Sequence, residues 1–188
     1  MILKKIDGRL IISIASLLIA FFSLFISYQQ YNSQNINYEK EVQPYVTIVP
    51  TIDPEVNKQL GFYFFNGGLG VAYVNELKVT DSSGMETSLT SFGRHPTKVL
   101  KSIIDDGDSY LRYGMPIKGT PIVINTMEPF ITCNNTENYR FNCVPFTKYM
   151  EKAMGDNIYN FEITLIYSSI YGKKYEYSFP SNITRELD

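Results

Sequence analysis

With 188 residues, the chain has room for one ordinary domain and little more. A formal net charge of −2 excludes a general nucleic-acid binder, because such domains carry a strong basic excess. Fifteen Tyr and twelve Phe, with no Trp, favour strands, since flat rings pack well on a pleated surface.

The first nine residues hold Lys4, Lys5 and Arg9 against Asp7, and Leu10 to Tyr28 follows without a charge. As a helix this apolar run spans about 28 Å, close to the ~30 Å hydrocarbon core of a bilayer. The helix of a soluble core rarely stays apolar on every face for so long. The positive-inside bias then predicts a cytoplasmic tail (1–9), a single-pass signal-anchor helix (10–28) and an exported remainder. A cleaved signal peptide is the rival reading. The run exceeds the usual ~7 to 15 apolar residues, and no A-x-A site follows it. Beyond the run there are 14 basic and 18 acidic residues, a balance that argues against a polybasic lipid-binding surface.

Residues 29–43 are polar and read as a stalk or linker. Phe21, Leu24, Tyr28, Tyr31, Asn35, Tyr38 and Val42 nevertheless recur at alternating spacings of three and four, an a/d heptad stripe. The spacing predicts a helix continuing to about Val42, because Pro44 disfavours helix at Gln43. The stripe is a candidate association surface, for a second copy or for the chain's own outer domain, and a plain flexible linker is the alternative.

The outer domain is expected over 44–180, with a C-terminal tail at 181–188. Strands are predicted at Pro44–Pro50, Phe62–Phe65, Val71–Thr80, Lys98–Ile104, Tyr110–Tyr113 and Pro121–Thr126. Asn66, Gly67, Gly68 and Gly70 form a structural turn between the second and third, since glycine permits positive φ and close backbone approach. Phe146–Met154 is the one helix-like piece. A closing hairpin alternates Phe161, Ile163, Leu165 and Tyr167 with Glu162, Thr164 and Ile166, turns at Gly172, and returns through Tyr175, Tyr177 and Phe179. Short strands with frequent turns imply an antiparallel sandwich or barrel.

The run Asn66-Gly67-Gly68-Leu69-Gly70-Val71-Ala72 resembles the N-x-G-x-G-x-A strand-turn-strand of uncharacterised bacterial membrane-anchored proteins. Pro44-Tyr45 at the first strand and Tyr167-Ser168-Ser169-Ile170-Tyr171-Gly172 in the closing hairpin extend the likeness. The resemblance implies a mainly β protein with one transmembrane helix and an immunoglobulin-like β-sandwich. Val71 departs from it, standing where many of those proteins have Pro.

Chemistry is sparse. Cys133 and Cys143 are the only cysteines, and an even count in an exported domain suggests a disulfide; reduced thiols and metal ligation are the alternatives. His95 is the lone histidine, in a polar stretch without a nucleophile elbow, so no catalytic residue is assigned. Asp105, Asp106 and Asp108 read as an acidic turn, lacking the spacing of a calcium loop. No cofactor, metal or nucleic acid is expected. The aromatics near 62–65 and 175–179 read as core, with a ligand groove as the sharper alternative.

The expectation is therefore a non-catalytic envelope module on the cytoplasmic membrane, binding a protein partner or forming a homo-oligomer. A ligand-sensing or membrane-perturbing effector of a stress or antiphage system is the first alternative. An envelope hydrolase is the second.

Overall fold

The computed structural model describes residues 8–52, 59–90, 111–114, 116–134, 143–156 and 158–187. The predicted strand Lys98–Ile104, His95 and the aspartates at 105, 106 and 108 lie outside these residues. The chain divides after Glu41 into two compact units.

The described residues of the first unit form one continuous helix, α1 (Gly8–Glu41), of 34 residues. At 1.5 Å per residue it is about 51 Å long. Within its apolar half Ser13 and Ser23 donate their hydroxyls to the carbonyls of Arg9 and Ile19 (3.0 and 2.8 Å), so neither hydroxyl needs an outside acceptor. The helix passes through Tyr28 unbroken and ends just ahead of Pro44, the residue that disfavours its continuation.

The second unit holds two antiparallel sheets. Its elements are β1 (Val46–Thr51), β2 (Gln59–Asn66), β3 (Ala72–Asp81), β4 (Glu86–Ser88), β5 (Leu111–Tyr113), β6 (Pro121–Ile122), β7 (Met127–Asn134), α2 (Val144–Asp156), β8 (Phe161–Ser168), β9 (Lys174–Phe179) and β10 (Ile183–Leu187). One sheet has the order β1-β2-β7-β5; the other runs β10-β9-β8-β3-β4, with β6 also paired to β3.

Alternation builds the core. Phe161, Ile163, Leu165 and Tyr167 of β8 and Tyr175, Tyr177 and Phe179 of β9 are buried, facing Leu60, Phe62 and Phe64 of β2. Phe62 sits at the centre, with ring centroids 5.6 Å from Phe161, 5.8 Å from Phe179 and 6.5 Å from Phe146 of α2. Helix α2 contributes Phe146, Met150 and Ala153, spaced four and three apart along one face. In β3 the buried parity changes from Ala72 and Val74 to Leu77 and Val79. The register shift between Val74 and Glu76 leaves Asn75 unpaired, and this bulge restores the inward face.

Three differences from the sequence expectation have physical causes. Of the expected tail at 181–188, Ile183–Leu187 is instead strand β10, which pairs with β9 along its whole length. Pro121–Thr126 is strand only at its first two residues, since Asn125 turns at a φ of 54°. An unpredicted strand, β7, carries Pro129 in its interior. The register shift opposite Phe62 and Tyr63 makes a bulge there, where a residue without an N–H is tolerated.

Candidate functional site

The predicted turn is the most fully bonded point described. Asn66 is completely buried. Its Oδ1 accepts from the backbone N–H groups of Tyr45 and Gly68, both at 3.1 Å. Its Nδ2 donates to the carbonyls of Gly70 at 2.7 Å and Ile122 at 3.1 Å. All four hydrogen-bonding positions of the amide group are thus used. One side chain joins the start of β1, the turn and β6.

The glycines serve this packing through space rather than handedness. Neither Gly68 nor Gly70 has a positive φ. A Cβ on Gly68 would collide with Gln43 O and Tyr45 N, and one on Gly70 with Val42 O. The segment 42–45, by which the chain enters the β unit, therefore lies directly against the turn.

Two tyrosines complete the arrangement. The hydroxyl of Tyr177 accepts from the Ile48 N–H at 3.0 Å and donates to Asn182 Oδ1 at 2.5 Å. The hydroxyl of Tyr167 lies 3.5 Å from the Val46 nitrogen, a longer contact of the same kind. Alternation along β1 aims the N–H groups of 46, 48 and 50 away from β2, and position 50 is a proline with no N–H at all. Sequence reading placed Tyr167 and Tyr177 in the core but gave no sign of these bonds, which span 121 and 129 residues.

Burial pushes the hydroxyls of Tyr149, Tyr167 and Tyr177 up to about 12. Lys78 is raised, chiefly by its hydrogen bond to Glu86, and Asp81 is lowered, chiefly by the Ser83 hydroxyl. Each shift carries its group away from neutrality, the reverse of the tuning that general acid–base chemistry uses. Among the described residues no cluster of three or more His, Cys, Asp and Glu side chains could hold a metal. A hollow of about 240 Å³ beside α2 is lined by Tyr149, Lys152, Ala153, Asp156, Ile158 and Asn160. The aromatics of β2 and β9 are core, since Phe62, Tyr63, Phe64, Tyr175, Tyr177 and Phe179 are all buried. Cys133 and Cys143 form a disulfide with Cα atoms 5.8 Å apart, tying the end of β7 to the start of α2.

On α1 the residues Phe21, Leu24, Tyr28, Tyr31 and Tyr38 are all more than half exposed. One residue ahead of Phe21, Leu24, Tyr28, Tyr31, Asn35 and Tyr38 runs a second line absent from the sequence expectation: Ala20, Ser23, Ser27, Gln30, Gln34 and Asn37. Its signal was the same three-and-four spacing, carried by small and amide side chains instead of apolar ones.

A long apolar helix followed by a two-sheet β unit with its own core defines the general class. Residues 10–185 match the family described as Domain of unknown function (DUF8453), and the chain belongs to that family. The match takes in α1 as well as the β unit. No curated protein and no solved structure matches the chain.

Proposed function

We propose that this protein is a single-pass anchor of the bacterial cytoplasmic membrane, N-terminus inside, whose outer β unit is a non-catalytic, immunoglobulin-like recognition module. The observation that carries the reading is the contrast in burial. An 18-residue window of α1 reaches a mean hydropathy of 2.3 with no residue buried, whereas the β unit fills its own core. Apolar surface of that extent calls for an apolar surrounding from outside the chain, and a bilayer supplies one. The family match beginning at residue 10 supports a helix that belongs with the domain rather than a discarded leader. The disulfide supports an oxidising compartment for the β unit.

Recognition acts through a protein partner or a second copy, and the exposed stripe of α1 favours the second copy. Protease added to spheroplasts should digest residues 42–188 and spare a fragment ending near Tyr28; protection of the β unit would reject the topology. For self-association, single cysteines at Tyr31, Asn35 and Tyr38 should crosslink between chains, while cysteines at Ser33 and Lys40 on the opposite face should not. Equal crosslinking at all five sites would reduce the stripe to a plain linker.

A further inference from the structure

We infer that the end of the β unit where the chain enters dips its loop tips into the headgroup layer of the same membrane, by apolar contact rather than by charge. The inference rests on the anchor reading above and adds a second, peripheral contact with lipid.

Strand register places these loops together. Tyr73 pairs with Ser168 on one side and Pro121 on the other, and Ser168 pairs in turn with Lys174. The β2–β3 turn, the loop ahead of β6 and the β8–β9 turn therefore share one end. The entering segment 42–45, lying on the Gly68 and Gly70 backbone, is at that end too. At the loop tips stand Leu69, Ile117, Ile170 and Tyr171, each between 52% and 70% exposed. Tyr45 and Tyr73 are exposed just behind them. These are isolated side chains on separate turns, not a flat face. That form suits a fluid, irregular headgroup layer better than a rigid protein surface, and Tyr171 is the residue type that favours the interface.

The opposite end also exposes apolar residues, Met85, Ile158 and Ile183; what sets the entry end apart is the tether to α1. The β3–β4 turn of the opposite end is Asp81-Ser82-Ser83-Gly84, where Asp81 Oδ1 accepts from the backbone and hydroxyl of Ser83 and the backbone of Met85. Charge does not drive the contact. Lys118, Lys173 and Lys174 at the entry end stand against Glu128 and Glu186, the latter pairing with Lys173 at 3.6 Å, which leaves a surplus of a single positive charge among them. Tilt decides the distance. The thirteen residues from Gln29 to Glu41 rise about 20 Å as helix, whereas the headgroup layer is only about 5 to 8 Å deep, so the contact requires α1 to lie tilted in the membrane. Tethering at this range gives weak apolar contacts a high effective concentration.

The absence of native tryptophan makes the test direct. Leu69→Trp, Tyr171→Trp and, as a control, Met85→Trp would be made singly in the full chain. Each would be reconstituted in phosphatidylcholine vesicles with or without lipids brominated near the headgroup end of the acyl chains. Carbonate-resistant co-flotation reads the anchor separately. The inference expects blue-shifted emission and quenching by brominated lipid at positions 69 and 171, unchanged by 0.5 M salt on the order of magnitude that screens surface charge, with neither effect at position 85. Equal emission at all three positions in floated protein would overturn the loop contact while leaving the anchor intact. A blue shift that follows protein density and ignores brominated lipid would overturn it in favour of a second copy. Quenching that needs anionic lipid would overturn its apolar basis.

Discussion

Strands β1 and β10 sit at the outer edges of different sheets and face the same hazard, an unpaired row of backbone groups that could recruit another chain. They meet it in different ways. β1 is Val-Thr-Ile-Val-Pro-Thr, apolar enough to invite pairing, and its outward donors are engaged by Tyr177, approached by Tyr167, or absent at Pro50. β10 is Ile-Thr-Arg-Glu-Leu and relies on charge: Arg185 pairs with Glu176, and Glu186 with Lys173. The difference teaches that an apolar edge needs its hydrogen bonds closed, whereas a polar edge needs only side chains that resist desolvation.

Four substitutions and one change of pH test that contrast. The largest effect is expected where β1 begins. Asn66→Ala strands buried backbone groups of the turn, of β6 and of Tyr45, and should cost roughly 3 kcal/mol or more in urea unfolding. Gly70→Ala should cost about 1 to 3 kcal/mol, because the new methyl must displace the Val42 carbonyl; a near-neutral result would show that the entering segment is not held against the turn. Tyr177→Phe should cost about 1 to 2 kcal/mol by leaving the Ile48 N–H without its acceptor. The same hydroxyls set an alkaline limit. Their folded values near 12 lie above the ordinary 10, so the folded state holds these protons more tightly. Stability from this source is complete below pH 10 and is lost as pH rises through 12, and a thermal melt series across that window should show the fall. The smallest effect belongs to β10. Arg185→Ala removes an exposed ion pair and should change stability by about 0.5 kcal/mol or less. A loss as large as that of Tyr177→Phe would mean the two edges are held alike.

Much of this architecture is legible in the sequence where one periodicity governs. β8 and β9 alternate without interruption, and the Pro44 boundary stops α1 where expected. Reading fails where a local irregularity resets the pattern. Pro129 inside β7 argues against a strand, and only the bulge beside it makes one possible. β4 is three residues with a single buried side chain, Thr87, too short to carry a period. β10 looks like a polar tail because its neighbour, not its own apolar content, makes it a strand. The turn was visible in the clustered glycines after Asn66. Their reason was half hidden, because close approach depends on residues 42–45 returning to that spot. The tyrosine hydroxyls were invisible, since a core tyrosine reads the same whether its oxygen caps a distant strand or not.

The register of β10 has a practical consequence. β9 begins at the entry end with Lys174, and β10 returns antiparallel to it so that Leu187 lies opposite Lys174. The β unit thus receives its chain and releases it on the same side. A fluorescent reporter appended after Leu187 would crowd the loops that surround the incoming segment, whereas one spliced between Ser82 and Gly84 would leave them clear. The same closeness makes the unit a candidate for circular permutation, with a short linker joining Leu187 to Gln43 and new ends opened at the β3–β4 turn.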